Sequence, residues 1–310
     1  MTSGLAIAVA ESDGDLLDLL AVRGRLDPDF SGTLEGFRHS LRTGVGLAYV
    51  VARLDGAPAG CGFVGALPGA ESDPFVRADV SVVPERRGRG IGSALYETVS
   101  AHARSTGKDG LQLEVKEDDP ESLAWAERRG FAEVEREKAV SLDLAAAEPG
   151  LELPPGIELV RRVDHPELER EMYAVGLEAS ADIPGDGAYE PTFEQWRSFE
   201  IERPSRRPEL SFLALEEGRV VGFASLDVFG DSTTGYHGLT AVARSARRRG
   251  VGRALKLAQI RAAAEAGLTR LVTESEERNV AMRALNESLG YRPLPGMIVL
   301  RGPLAAQTSR

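Results

Sequence analysis

The stretch Arg87-Gly-Arg-Gly-Ile-Gly-Ser-Ala-Leu95 decides the fold, because the chain contains it twice. The second copy, Arg247-Arg-Arg-Gly-Val-Gly-Arg-Ala-Leu255, lies 160 residues further along. A glycine-aromatic pair follows each copy at the same distance, as Gly130-Phe131 and as Gly290-Tyr291. Self-similarity at a fixed period indicates a repeated structural unit rather than a chance motif. The sequence therefore predicts a duplicated domain.

Length and linker composition place the boundary between the two halves. The 310 residues are too many for one comfortable core and suit two domains of about 150 residues each. Residues 147–156 hold three prolines and two glycines without a clear hydrophobic period, which is typical of a linker. We therefore predict an N-terminal domain over residues 1–146, a linker over 147–156 and a C-terminal domain over 157–310.

Each half shows the same order of predicted elements. A short strand precedes two helices and three strands, and then come the glycine loop, a helix, a strand, a second helix and a final strand. The dipeptides Asp55-Gly56 and Glu217-Gly218 predict tight hairpin turns between the first two strands of each group of three. Each half is therefore predicted to be an α+β unit with a mixed sheet.

Charge and residue counts exclude several classes of function. Lys plus Arg is 37 and Asp plus Glu is 48, so the net charge of −11 argues against nucleic acid or an anionic membrane as partner. The apolar stretches, such as residues 45–51, are much shorter than the roughly 20 residues that a membrane span needs. Cys61 is the one cysteine, and the four histidines have no metal-ligand spacing. We expect a cytoplasmic protein without a metal site.

The glycine loop is suited to binding an anion. Between a strand and a helix it presents backbone N–H groups at the positive end of the helix dipole, without side-chain obstruction. Neighbouring arginines suit a pyrophosphate. A nucleotide fingerprint would need a third glycine where Ser93 and Arg253 stand, and no Gly-Lys-Ser/Thr phosphate loop is present. A single copy could be a mere strand-to-helix turn, but two copies in register favour a binding role.

The motif from Val82 to Leu95, followed by Gly130-Phe131, resembles the acyl-CoA-binding core of the GNAT superfamily of N-acetyltransferases. The second copy, with residues 273–279 and 286–291, resembles the same family, so that the likeness covers nearly the whole chain as two tandem units. The resemblance implies two GNAT-type domains of α+β class. Each would have a mixed, mostly antiparallel, splayed sheet flanked by helices, and the cofactor would be acetyl-CoA.

The resemblance also implies which residues hold the cofactor. In the family the loop amides bind the pyrophosphate of CoA, and a bulged strand before the loop exposes backbone groups to the pantetheine and the thioester. An N–H near Val82 or Val242 would polarise the thioester carbonyl. The residues implied are Val82, Val83, Arg87, Gly88, Arg89, Gly90, Ile91, Gly92 and Ser93 in the first half, and Val242, Ala243, Arg247, Arg248, Arg249, Gly250, Val251, Gly252, Arg253 and Asn279 in the second.

Candidate catalytic residues lie in the second half. The tyrosine that many family members use as the acid is replaced by Ala126 and by Asn286. His237 has a suitable intrinsic pKa for a general base, although a histidine packed on the sheet is the alternative. Glu274 is a second candidate base, or a solvated charge at a strand end. Tyr236 is a candidate acid or a wall of the substrate site. At the fixed offset, Tyr236 and His237 correspond to Val76 and Arg77, and Glu274 to Glu114.

The two halves are not equivalent. Asp119 replaces Asn279 in the first half, where a carboxylate would repel CoA phosphates, and −9 of the net charge lies in residues 1–150. We therefore expect a catalytic second half and a degenerate first half. The acceptor segment is predicted over residues 182–190 and 193–196. Its acids and aromatic residues either bind a cationic amine or form a solvated loop anchored by Phe193 and Trp196.

Together these features predict an acetyl-CoA-dependent N-acyltransferase that moves an acetyl group directly to the amine of a small molecule in a ternary complex. The protein would be a monomer or homodimer. Two other functions stay open. A non-catalytic acyl-CoA-binding or regulatory protein fits the missing tyrosine acid, and a nucleotide-binding enzyme fits the glycine loops alone.

Overall fold

A computed structural model describes residues 4–27, 30, 32–146, 150, 152–183 and 189–307. The chain forms two compact units, which we call unit 1 (Met1–Val134 and Ile298–Arg310) and unit 2 (Glu135–Met297). Residues 147–149 and 151 of the predicted linker lie outside the described residues. So do residues 184–188 of the predicted acceptor segment, including Asp186.

The first half of the chain folds in the predicted order. Its strands are β1 (Leu5–Val9), β2 (Val45–Leu54), β3 (Ala57–Ala66), β4 (Phe75–Val82), β5 (Gly110–Lys116) and β6 (Ala132–Asp143). Its helices are α1 (Asp13–Leu26), α2 (Leu34–Thr43), α3 (Ile91–Ser105) and α4 (Pro120–Glu127).

The second half repeats this order. Its strands are β7 (Ile157–Arg161), β8 (Phe212–Glu216), β9 (Arg219–Asp227), β10 (Thr234–Val242), β11 (Arg270–Glu276) and β12 (Arg292–Pro303). Its helices are α5 (Glu169–Ser180), α6 (Phe193–Glu200), α7 (Val251–Glu265) and α8 (Val280–Ser288).

Both sheets are mixed and mostly antiparallel, as predicted. In unit 1 the order is β1-β2-β3-β4-β5, with only β4 and β5 parallel among these pairs. In unit 2 the order is β7-β8-β9-β10-β11-β6, with only β10 and β11 parallel. Both predicted hairpin turns are confirmed, because Asp55 and Gly56 have φ of +53° and +81°, and Glu217 and Gly218 have φ of +51° and +78°.

The last strand of each half of the chain belongs in large part to the compact unit formed by the other half. Residues 135–143 of β6 belong to unit 2, where β6 pairs with β11. Residues 298–303 of β12 belong to unit 1, where Ile298 and Leu300 enter the core beside Leu111. The compact units therefore differ from the predicted boundaries at 146 and 157. Strands with similar apolar patterns can pair in either unit, so local sequence does not specify this exchange.

Helices cover both faces of each sheet. In unit 2, α5 and α6 pack Met172 and Trp196 against Phe223 of β9, and we call this side the α5/α6 face. On the opposite side, the α7 face, Ile260 packs against Leu226 of β9. In unit 1, α1 and α2 cover one face and α3 the other. The alternation along each strand thus sorts its side chains between two separate environments.

Candidate active site

Each glycine loop leads directly into a helix whose first turn has no side-chain cap. A 3-10 turn follows β4 and another follows β10, and then Gly90 or Gly250 takes the left-handed conformation, with φ of +76° or +87°. Neither glycine caps its helix with a side chain, whereas Asp119 and Asn279 cap α4 and α8. The first backbone N–H groups of α3 and α7 are thus available to an anion, which is the cradle that a pyrophosphate requires.

The two loops share one internal anchor and differ in one strained residue. The guanidinium Nε of Arg87 donates to the carbonyl of Val82 at 3.3 Å, and Arg247 donates in the same way to Val242 at 2.9 Å. Arg248 has φ of +60°, although the equivalent position in unit 1 is a glycine. A left-handed arginine costs roughly 1 kcal/mol, so the second loop keeps its shape against a local preference.

Acidic side chains hold the loop arginines. In unit 2, Asp182 accepts from Arg247 at 2.7 Å and Glu216 accepts from Arg249 at 2.6 Å. Hydrogen bonds from Arg244 and, next, from Arg247 lower the pKa of Asp182 to about 2. The hydrogen bond from Arg249 holds the pKa of Glu216 below its usual value. Asp182, predicted to belong to the acceptor segment, therefore contacts the glycine loop.

Both sheets splay open beside the loops. The parallel pairing of β4 with β5 covers Phe75–Arg77, and that of β10 with β11 covers Thr234–Tyr236. Further along β10, the N–H of Ala243 donates to Val221 of the neighbouring strand. Because antiparallel residues alternate in their hydrogen bonding, the N–H of Val242 points the other way, into the gap beside β11. In unit 1 the N–H of Val83 donates to the carbonyl of Ala59 on β3, and by the same alternation the N–H of Val82 points into the gap beside β5.

A β-bulge is present in β10 and is absent from the described pairing of β4. The register of β10 with β9 shifts by one residue between His237 and Thr240. By contrast, β4 pairs with β3 without a shift. The bulged strand implied by the resemblance therefore occurs in unit 2, four residues before Val242. A bulge turns every side chain on one side of it to the opposite face.

The bulge separates Tyr236 from His237 in space. Tyr236 lies opposite Asp227 and therefore on the α5/α6 face, whereas His237 lies opposite Leu226, on the α7 face. The position that Tyr236 takes is that of Arg77 in unit 1, because the bulge shifts the correspondence by one residue from the fixed offset. The side chains of Tyr236 and His237 thus lie on opposite faces of the sheet.

His237 belongs to a polar cluster beneath α7. Its Nδ1 lies 2.9 Å from Oε1 of Gln259, and its Nε2 lies 2.5 Å from the hydroxyl of Tyr291. Burial, together with the nearby charge of Lys256, lowers the pKa of His237 well below its usual value. Lys256 is itself 1% exposed, and burial lowers its pKa to about 7. The imidazole is therefore neutral, and side chains occupy both of its nitrogens.

Sequence reasoning missed this cluster, although a signal was present. Lys256 and Gln259 stand where α3 of unit 1 has Tyr96 and Val99, which are both buried. A polar pair on the buried face of a helix is unusual. Comparison of the two copies position by position would have identified it.

Glu274 shares the α5/α6 face with Tyr236 across the gap. Tyr236 pairs with Val272, and a residue two positions further along a strand lies on the same face. The carboxylate of Glu274 is exposed. In unit 1 the corresponding places hold Arg77 and Glu114, which form an ion pair of 2.7 Å. The structure therefore places two of the three predicted catalytic residues on the same face of the sheet.

The remaining predicted positions have structural partners. Asn279 accepts from the N–H of Met282 at 3.2 Å as the cap of α8, and Asp119 accepts from Ser122 at 3.0 Å. Asn286 is 2% exposed. In the acceptor segment, Trp196 is buried against Phe193, which favours the anchoring role for these two rings.

In the described ranges, no group of His, Cys, Asp and Glu could hold a metal ion, and no helix is both long and apolar enough to cross a membrane.

Comparison with known proteins identifies relatives of the whole chain. The sequence profile described as "Acetyltransferase (GNAT) family" matches residues 22–131 and again 177–291. A mycothiol acetyltransferase of Parafrankia sp. is 29% identical over 93% of this chain and 94% of its own length. Another, of Thermomonospora curvata, is 31% identical over 81% of this chain and 77% of its own length. A tandem GNAT protein from the clavulanic acid biosynthesis pathway has a TM-score of 0.79 at 24% identity, covering 98% of this chain and 100% of that one.

Proposed function

Because the chain belongs to the GNAT family of acetyltransferases, as two tandem copies of its domain, we propose that unit 2 acetylates the amine of a small molecule with acetyl-CoA. One observation carries the proposal. In unit 2 alone, among the described residues, the uncapped helix N-terminus, the splayed gap and the β-bulge occur together. Unit 1 has the first two features, but β4 pairs without a bulge.

The residues of unit 2 fit acetyl-CoA. The N–H groups at the start of α7, from Val251 to Arg253, suit the pyrophosphate, and the N–H of Val242 suits a carbonyl in the gap. Acetyl-CoA, when bound, supplies the acetyl thioester. The arginines predicted to assist are Arg247, Arg248 and Arg249, and of these Arg247 and Arg249 also pair with Asp182 and Glu216.

Acid-base chemistry is assigned to the α5/α6 face. The acceptor nitrogen attacks the thioester carbonyl carbon, the carbon–sulfur bond breaks, and the nitrogen loses a proton. Glu274 takes that proton directly or through water, and Tyr236 donates a proton to the leaving sulfur. His237 holds β10 against α7 in this scheme, since Gln259 and Tyr291 engage its nitrogens.

Unit 1 is proposed to be a degenerate copy. Arg77 forms an ion pair with Glu114 at the positions that Tyr236 and Glu274 hold in unit 2, so the charge of the Glu114 carboxylate is balanced by a guanidinium. Asp119 is the N-cap of α4, where unit 2 has the uncharged Asn279 as the N-cap of α8, so unit 1 carries an additional negative charge at this position. Unit 1 then serves structure, cofactor binding or closure of the substrate cleft.

Matched glycine variants test the assignment of the two units. A side chain on Gly252 or on Gly92 meets only ordinary contacts, at 3.6 Å and 3.5 Å, and neither glycine has a left-handed φ. Gly252→Glu therefore adds a negative charge to the cradle of unit 2 without backbone strain, and Gly92→Glu does so in unit 1. We expect acetyl transfer to fall on the order of 10- to 30-fold in Gly252→Glu and to stay near the wild-type rate in Gly92→Glu. Loss of turnover only in Gly92→Glu contradicts the assignment.

The amines to be tested as acetyl acceptors are chosen with the names of the relatives in view. Because several are named mycothiol acetyltransferases, the panel includes unacetylated mycothiol beside simple amines. We also propose a cytoplasmic monomer or homodimer, which gel filtration measures. NAD and ATP serve as thermal-shift controls, because a nucleotide-binding enzyme would be stabilised more by them than by acetyl-CoA.

A second candidate is a non-catalytic acyl-CoA-binding protein. Ala126 and Asn286 are 1% and 2% exposed, so the position of the usual acid is buried in both units. This candidate predicts stabilisation by acetyl-CoA without turnover on any amine of the panel. Acetyl transfer that depends on Tyr236 excludes it.

A further inference from the structure

A buried ion-pair network lies against the bulge on the α5/α6 face of unit 2. The side chain of Arg206 is 2% exposed. Its Nη2 lies 3.2 Å from Glu200 and its Nη1 lies 3.3 Å from Asp227. Serine hydroxyls fix both carboxylates, since Ser225 donates to Glu200 at 2.6 Å and Ser205 donates to Asp227 at 2.9 Å. Such a network is costly to bury and calls for a reason beyond stability.

The backbone around Arg206 is tied to β9. The N–H of Arg207 donates to Leu226 at 2.9 Å, and the N–H of Val228 donates to Ser205 at 2.8 Å. Arg206 therefore lies beside Asp227 on one edge of β9. Tyr236 lies beside Asp227 on the other edge. Directly paired residues share a face, so these three side chains form a row across neighbouring strands.

The guanidinium of Arg206 occupies the space above the bulge. A Cβ atom added to Gly238 would lie 2.6 Å from Nη1 of Arg206 and 3.2 Å from Cβ of Ser225. A side chain at position 238 would therefore require the guanidinium of Arg206 to move. In unit 1 the residue that corresponds to Gly238 at the fixed offset is Ala78, and β4 has no bulge in its described pairing.

Hydrogen bonding through Nε and Nη1 does not explain the position of Arg206. Its Nε and Nη1 are buried and have no hydrogen-bond partner in the described structure. What the side chain does contribute is volume against Gly238 and charge balance. Together with Arg203, which lies 3.3 Å from Asp227, it neutralises two buried carboxylates.

We propose that Arg206 is a positioning residue that selects the bulged register of β10, and so places Tyr236 rather than His237 on the α5/α6 face. A strand that continued the register of Thr240 with Ala224 without a bulge would bring His237 opposite Asp227. Tyr236 would then turn to the α7 face. The catalytic consequence rests on the proposed function, whereas the register itself does not.

The test removes the guanidinium without unbalancing the charge. Arg206→Met combined with Glu200→Gln takes away one positive and one negative charge and keeps similar volumes. The matched control, Arg203→Met with Glu200→Gln, makes the same change of charge but spares the side chain at Gly238. A crystal structure of each variant reports the register. We expect His237 opposite Asp227 in the first variant and opposite Leu226 in the control.

Kinetics then connect the register to catalysis. For Arg206→Met/Glu200→Gln we expect kcat to fall on the order of 10- to 100-fold, with the KM for acetyl-CoA within about twofold. Adding Tyr236→Phe to this variant should cost nothing further, because the hydroxyl is already misplaced. The control should keep kcat and should remain sensitive to Tyr236→Phe.

Two results overturn the proposal. One is an unchanged register in Arg206→Met/Glu200→Gln, and the other is a loss from Tyr236→Phe that is as large in this variant as in the wild type. If the variant does not fold, Gly238→Ala replaces it, and retention of the bulge in that protein overturns the proposal equally. If the wild type acetylates no amine, the proposed function fails, and the crystallographic register still decides the role of Arg206.

Discussion

Lys256→Met should stabilise the protein at neutral pH, because the wild type buries an ammonium with little compensation. Lys256 is 1% exposed, and its Nζ lies 5.5 Å from the ring of Tyr291. No described residue accepts a hydrogen bond from it or pairs with it as an ion. Methionine has nearly the same length and no charge, so it fills the same space.

The expected magnitude follows from the pKa. Burial lowers the pKa of Lys256 from 10.5 to about 7. Since one pKa unit corresponds to about 1.36 kcal/mol, the cost of protonated Lys256 in the folded state is at most about 4 to 5 kcal/mol. The unfolded chain binds more protons between about pH 7 and pH 10.5, so the free energy of unfolding rises with pH in this window.

Urea denaturation at pH 7 and pH 9 measures the effect. At pH 7 the variant should exceed the wild type by up to about 4 kcal/mol, and at pH 9 by only about 2 kcal/mol, because the wild type has lost most of its buried charge. Lys116→Met is the control, since that side chain is 58% exposed, and it should change the free energy of unfolding by less than about 0.5 kcal/mol.

Two outcomes would refute this reasoning. The first is a variant that is no more stable than the wild type at pH 7. The second is a difference between variant and wild type that stays the same at both pH values, since packing rather than charge would then explain the change.

Two further predictions concern single residues. Arg248→Gly should raise the free energy of unfolding by up to about 1 kcal/mol, because a left-handed φ of +60° strains arginine but not glycine, and a lower Tm in the ligand-free protein contradicts this. Cys61 should resist a thiol reagent at pH 8 in the native protein and react with one equivalent in guanidinium chloride, because the residue is 1% exposed and burial, with Asp79, raises its pKa to about 12. Rapid labelling of the native protein would show that the surrounding core opens.

Much of the fold was predictable because its signals are local. Glycine at the left-handed position before a helix, as at Gly90 and Gly250, has a direct physical reason in the backbone. The hairpin dipeptide Asp55-Gly56 and the caps Asp119 and Asn279 are likewise specified by a few neighbouring residues. Repetition at 160 residues then extended these local signals to the whole chain.

The candidate site was only partly predictable. Sequence placed Tyr236 and His237 side by side and matched them to Val76 and Arg77 at the fixed offset. In the structure Tyr236 takes the place of Arg77. The sequence does not show this, because the loop between β9 and β10 is shorter than its counterpart in unit 1 and the bulge in β10 adds one residue. No local pattern reveals such a compensation, because it depends on which residues of β9 lie opposite.

The sequence by itself determined that this protein is a duplicated GNAT-type chain with two glycine loops, since neighbouring residues specify each loop and the repeat at 160 residues reveals the duplication. Only the tertiary structure decided that Tyr236 and Glu274 share one face of the sheet and that His237 lies on the other. It also decided that most of β6, from the first half of the chain, belongs to unit 2 and that the end of β12, from the second half, belongs to unit 1. The physical reason is that strand register and strand exchange depend on pairing between distant segments, and one extra residue reverses the face of every side chain before it.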